Sequence, residues 1–145
     1  MIGIVVTGHG HFAEGMHSSA KMIAGENDHI KYVCFEEGMS LEDLAVKLNA
    51  AYEALNDCDG IVVQTDLPGG SPFNTAVQCA GGCPDKNIVV LSGTNLPMII
   101  TGSTMLSFET DPQALADELL FEGKDNVVRF ELAAREEENE DEDGI

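Results

Sequence analysis

The sequence predicts a doubly wound α/β sandwich with a four-stranded parallel sheet in the order 2-1-3-4 and helices on both faces. Three observations lead there. Apolar runs at 2–7, 30–35, 60–65 and 88–92 are nearly continuous rather than alternating, as in strands covered on both sides. Each run is followed by a segment of helical period. Strand-then-helix units in succession require right-handed crossovers, which make the sheet parallel and set helices on its two faces.

The elements follow in order. IGIVVT (2–7) is the first strand, and Phe12, Met16, Ala20 and Ile23 recur near the helical period before Gly25, a natural stop. IKYVCF (30–35) is the second strand. Ser40 with Asp43 forms a capping-box pattern at the head of a helix whose buried stripe is Leu41, Leu44, Leu48, Tyr52 and Leu55. GIVVQT (60–65) leads into Asp66-Leu67-Pro68-Gly69-Gly70-Ser71-Pro72, where Ser71 is expected to cap and Pro72 to open a short helix ending near Ala80. IVVLS (88–92) precedes Gly93-Thr94-Asn95-Leu96-Pro97 and a helix from Pro97. Asp111-Pro112 starts another helix through Leu115, Leu119 and Leu120, and NVVRFEL (126–132) has the pattern of a last strand.

Length and composition set bounds on function. With 145 residues and 43% hydrophobic residues, one domain can hold a core without staples. Seven basic against 26 acidic residues give a formal charge of −19, which disfavours nucleic acid and anionic membrane surfaces as partners and favours proteins with positive surface. No apolar run approaches the roughly 18 residues of a membrane span, and the start lacks a basic leader, so a cytoplasmic protein is expected. Cys34, Cys58, Cys79 and Cys83 have no zinc-finger spacing and are expected to be reduced structural thiols. Between Glu136 and Asp143 seven of eight residues are acidic, so a domain over 1–132 and a disordered, solvated tail over 133–145 are expected.

Ligands of such sheets bind beyond the carboxyl ends of the strands, where strand order reverses, here between strands one and three. Strand one runs into Gly8-His9-Gly10 and strand three into Asp66 and the Gly69-Gly70-Ser71 turn. An imidazole and a carboxylate then face each other beside a helix N-terminus that favours an anion. This suggests phosphoryl transfer on histidine. A neutral imidazole attacks with one nitrogen while the other carries a proton, and a carboxylate accepting that proton fixes the tautomer and stabilises the developing charge. His9 is the candidate nucleophile and Asp66 the orienting carboxylate. Gly70 and Ser71 are candidate donors to the phosphoryl oxygens. His11 shares the pocket or caps the first helix, and His17 and His29 read as surface residues. His9 and His11 have no third metal ligand at a recognisable spacing, and no metal or cofactor is expected.

At these residues the sequence resembles the IIA component of the mannose-type sugar phosphotransferase system. The resemblance rests on the His9-Gly10 pair after the first strand, on Asp66-Leu-Pro-Gly-Gly-Ser-Pro-Phe-Asn74, and on Gly93-Thr-Asn-Leu-Pro-Met98, and it covers about residues 1–132. It implies a cytoplasmic phosphocarrier that accepts a phosphoryl group from phospho-HPr on His9 and passes it to a IIB component, which serves membrane components IIC and IID. It also implies a homodimer in which the last strand, here 126–132, runs antiparallel to the others and is exchanged between subunits. Gly8 stands where many relatives carry a hydroxyl residue, and Leu67-Pro68 replaces a bulkier pair. Because the chain stops after the acidic tail, a separate IIB partner is expected.

Two other readings are open. Gly8-His-Gly10-His-Phe-Ala13 fits G-x-G-x-x-A, with Glu36 near the place of a ribose-binding acid, so a dinucleotide-binding protein is the first; a histidine inside that turn would crowd the pyrophosphate. A non-catalytic regulator on the same fold is the second.

Overall fold

A computed structural model describes residues 1–133. Its elements are β1 (Ile2–His9), α1 (Phe12–Ala24), β2 (Ile30–Phe35), α2 (Leu41–Ala54), β3 (Gly60–Thr65), α3 (Ser71–Gly81), a 3₁₀ turn (Pro84–Lys86), β4 (Ile88–Leu91), α4 (Leu96–Met105) and α5 (Pro112–Asp125). The sheet order is β2-β1-β3-β4 and all three pairings are parallel. The expected four-stranded core is therefore present, with β1 two residues longer and β4 one shorter than the apolar runs. Among the described residues no helix is long and apolar enough to cross a membrane.

The pleat of the central strands sorts the core into two halves. Ile2, Ile4, Val6 and Val62 face α1, α4 and α5 and pack with Ala13, Ile99, Leu115 and Leu119. Val5, Ile61 and Val63 face α2 and α3 and pack with Leu44, Leu48, Tyr52 and Ala76. Tyr52 is fully buried, and its hydroxyl donates to the Ala76 carbonyl at 3.1 Å, so its polar end is satisfied within the α2–α3 contact. This double coverage accounts for the continuous apolar character of β1 and β3.

Local signals act largely as the residues dictate. Ser40 and Asp43 form both halves of a capping box, and Gly25 follows the end of α1. Asp111 caps α5 through the Gln113 N–H at 3.1 Å, with Pro112 as its first residue. Two expectations need correction, and a third is not shown. Leu41 is 53% exposed, because as the first residue of α2 it precedes the turn where the helix meets the sheet. Ser71 does not cap α3: Gly70 takes that position in extended conformation and Ser71 is the first helical residue. Residues 127–133 form no strand in the single chain, where no neighbouring strand satisfies their backbone, and Phe130 is 82% exposed. The expected tail lies almost wholly outside the described residues.

Candidate functional site

The carboxyl ends of β1 and β3 bring together His9 and Asp66, which lie 57 positions apart in the chain. His9 is the last residue of β1 and Asp66 follows β3 directly. His9 Nδ1 lies 2.8 Å from Asp66 Oδ2, and the same oxygen accepts the His9 backbone N–H at 2.9 Å. The other oxygen, Oδ1, accepts the Leu67 N–H at 2.8 Å. Burial pushes the Asp66 carboxyl upward, but the His9 backbone and ring donors and the Leu67 amide outweigh it and hold it below the usual aspartate value. An ionised carboxylate can only accept, so Nδ1 carries a proton, and in the neutral ring the lone pair is then on Nε2. The Asp66 side chain is 13% exposed and that of His9 48%, so the carboxylate is sheltered while the ring meets solvent.

Two glycines make this approach possible. A Cβ on Gly8 would stand 2.5 Å from Phe12 Cδ2 and 2.9 Å from Asp66 Cγ, so a side chain there would push the carboxylate out of place. A Cβ on Gly70 would stand 2.8 Å from His9 Cε1 and 3.5 Å from Nε2, so the Cε1–Nε2 edge of the imidazole lies against the start of α3. The departure at position 8 noted in the sequence thus has a steric basis: glycine is what fits between Phe12 and Asp66.

Ser71 follows Gly70 as the first residue of α3, and no side chain caps that helix. The Ser71 and Phe73 amides belong to the first helical turn, where no carbonyl four residues back is available, and Pro72 has no N–H. They and the helix dipole form an anion-favouring end next to His9 Nε2. Asn74 Nδ2 donates to the Gly69 carbonyl at 2.9 Å, tying the turn to its own helix. The loop after β4 buttresses the same place, with Gly93 N–H on the Asp66 carbonyl at 3.2 Å and Thr94 N–H on the Thr65 carbonyl at 3.1 Å. Asn95 caps α4 through the Met98 N–H at 3.3 Å and donates to the Gly123 carbonyl at 3.0 Å, linking α4 to α5. All three sequence motifs therefore converge on one end of the sheet.

His11 precedes α1 but does not cap it with its side chain; its Nδ1 meets Glu14 Oε1 at 2.7 Å. The Glu14 hydrogen bond, aided by the charges of Glu14 and Glu36, raises its pKa. His17 pairs with Glu26 and stacks on Tyr32, with ring centroids 4.2 Å apart. Phe35, which the sequence reading passed over, meets the His9 ring edge-on at 6.2 Å, and its carbonyl accepts the Gly10 N–H at 2.8 Å. No local signal marks this residue; only the β1–β2 register, which sets His9 opposite Phe35, brings it to the site.

Comparison with known proteins agrees with this geometry. The family model described as PTS system fructose IIA component matches residues 3–120. The chain is 33% identical over 111 residues to the PTS system mannose-specific EIIAB component of Escherichia coli K12, covering 77% of this chain and 33% of that protein. It therefore spans about a third of the length of that relative. It is 28% identical over 100 residues to the PTS system fructose-specific EIIA component of Bacillus subtilis, covering 69% of this chain and 67% of the relative. Among solved structures, a phosphotransferase system component EIIA from Streptococcus agalactiae superposes with a TM-score of 0.82 at 33% identity, covering 89% of this chain and 97% of the other. A mannose/sorbose-specific IIA subunit from Enterococcus faecalis gives a TM-score of 0.80 at 28% identity, over 91% and 96% of the two chains. The dinucleotide-binding reading is not favoured by these matches, and the chain belongs to the IIA component family of the sugar phosphotransferase system.

Proposed function

We propose that this chain is a cytoplasmic phosphocarrier that accepts a phosphoryl group from phospho-HPr on His9 Nε2 and passes it to a IIB component. IIB then serves the sugar-translocating membrane components IIC and IID. The observation that carries this reading is the 2.8 Å contact of His9 Nδ1 with Asp66, which leaves Nε2 free at the start of α3. In the forward step the Nε2 lone pair forms a bond to phosphorus as the P–N bond of the donor breaks, and the electron pair of that bond returns to the donor imidazole. The His9 ring keeps its Nδ1 proton throughout and becomes positive. Asp66 stabilises that charge, while the α3 amides and the Ser71 hydroxyl receive the equatorial oxygens. Transfer to IIB reverses the same bond changes. The net acidic surface suits partners of positive charge.

The 126–132 segment has a role in the same reading. Its exposed Val127, Val128, Phe130 and Leu132 suit an antiparallel strand added to a second copy's sheet, giving a homodimer with exchanged ends. Sedimentation of the full chain against a chain ending at residue 125 tests this; a dimer that persists without the segment would remove its role.

The decisive experiment on function is intact-protein mass after incubation with phosphoenolpyruvate, Enzyme I and HPr. One acid-labile phosphoryl group, absent from a folded His9→Ala variant, is expected. No mass gain with active upstream proteins would overturn the carrier reading in favour of a regulator. Gain retained in His9→Ala would move the acceptor elsewhere.

A further inference from the structure

We propose that His11, Glu14 and Cys34 form a binding site for a borderline-soft divalent cation of the zinc type at the entrance to α1. His11 immediately precedes the helix and Glu14 is its third residue, so the two side chains share one face of the first turn and already touch at 2.7 Å. Cys34 comes from β2, where it lies in register with Gly8, and like Phe12 and Met16 it packs against the core cluster that includes Ala13 and Ala20 of α1. A His11 ring nitrogen, the Cys34 sulfur and a Glu14 carboxylate oxygen all lie within 4.8 Å of one another. The sequence hid this because the third ligand arrives by strand pairing from a residue 20 or more positions away.

The donor set selects the ion. Tetrahedral zinc holds nitrogen and oxygen at about 2.0–2.2 Å and sulfur at about 2.3 Å, so its ligand atoms stand roughly 3.3–3.8 Å apart. The three atoms here reach that spacing by side-chain adjustment, with the short His11–Glu14 contact opening as the cation takes the place of the proton between them. A thiolate and a carboxylate neutralise the two positive charges, and the imidazole binds in its neutral form. On binding, the Cys34 thiol releases its proton to solvent, the His11 ring carries its proton on Nε2, and one water completes the tetrahedron. A thiolate and an imidazole in the set disfavour magnesium and calcium, which take oxygen donors. The chain's charge of −19 raises the local concentration of any cation. A second trio, His29, Asp57 and Cys58, lies by the opposite ends of the strands, just before β2 and β3. Its His29–Asp57 contact is longer, at 3.7 Å.

The test uses the reduced full-length chain. Zinc is titrated in competition with a chromophoric chelator, and cobalt is substituted to read the coordination. The expected result is one cobalt ion with visible bands of tetrahedral intensity and a thiolate-to-cobalt charge-transfer band. Cys34→Ser is expected to abolish the charge-transfer band, and Glu14→Gln to weaken zinc binding about ten-fold or more. Cys58→Ser and His29→Gln are expected to leave both unchanged. Glu14 is exposed, so its variant remains informative even if Cys34→Ser disturbs packing. Failure of zinc to compete at micromolar concentration would overturn the proposal. So would a charge-transfer band that survives Cys34→Ser, or one that disappears in Cys58→Ser.

Discussion

Gly70→Ala separates the fold from the function by one methyl group. Gly70 has φ −74° and ψ 169°, extended backbone that alanine adopts without strain, so the main chain needs no change. The new Cβ would stand 2.8 Å from His9 Cε1, whereas carbon atoms rest at about 3.5–4.0 Å. Relief requires the ring to withdraw by roughly 0.7 Å or more, and the half-exposed ring is free to do so. The bond to Asp66, now 2.8 Å, has little slack: a displacement of that size along it would take it to about 3.5 Å, past useful hydrogen-bond range. Transfer from phospho-HPr is therefore expected to slow by about 100-fold, the scale of an ångström-level misplacement of a reacting group. Stability is expected to fall by about 1 kcal/mol or less. Single-turnover phosphorylation in rapid quench, with a thermal melt of the same sample, reads both. A folded variant that accepts phosphate within two-fold of the parent rate would refute the reasoning, because the ring's seat against α3 would then have no bearing on reactivity.

Other outcomes follow from the same geometry. Asp66→Asn keeps the shape but removes the charge, and single-turnover phosphorylation is expected to slow by about 10–100-fold. Asp66 has a lowered pKa in the fold, so its stabilising contribution is present above the unfolded value of about 3.9 and is lost as pH falls through the folded value. Urea titrations from pH 6 downward are expected to show a shallower acid loss in Asp66→Asn than in the parent. Gly8→Ala, which drives a methyl into Phe12 and Asp66, is expected to cost about 1–3 kcal/mol in urea unfolding and to slow phosphorylation as well. Ser40→Ala, which breaks the α2 capping box far from His9, is expected to cost about 1 kcal/mol with no change in transfer rate.

Much of this was readable from residues alone. The four strands announce themselves because both faces of each are covered, leaving apolar runs too short for buried helices. The pairing of His9 with Asp66 follows from topology: once the order is 2-1-3-4, the ends of strands one and three must adjoin. The α3 boundary was less legible. Ser71 is the better capping residue by chemistry, yet Gly70 holds the position because the His9 ring occupies the space a side chain would need. Cys34 carries no local signature, and its place beside His11 emerges only from the register of two strands. Leu41 has the right period but sits one turn too early to reach the sheet. NVVRFEL has strand composition, but composition does not supply the neighbour that a strand needs.

The parallel pairing of β1 with β3 carries a consequence for how the molecule matures. The two halves of the site are joined by a chain that must first run through β2 and α2, so their meeting is a non-local event of the kind that slows folding. Until that central pair closes, His9 has no fixed tautomer and no helix start beside it, and it is chemically an ordinary solvated imidazole. On the proposed function, acceptance of phosphate would report the completed sheet, and a nascent or partly opened chain would draw no phosphoryl groups away from the relay.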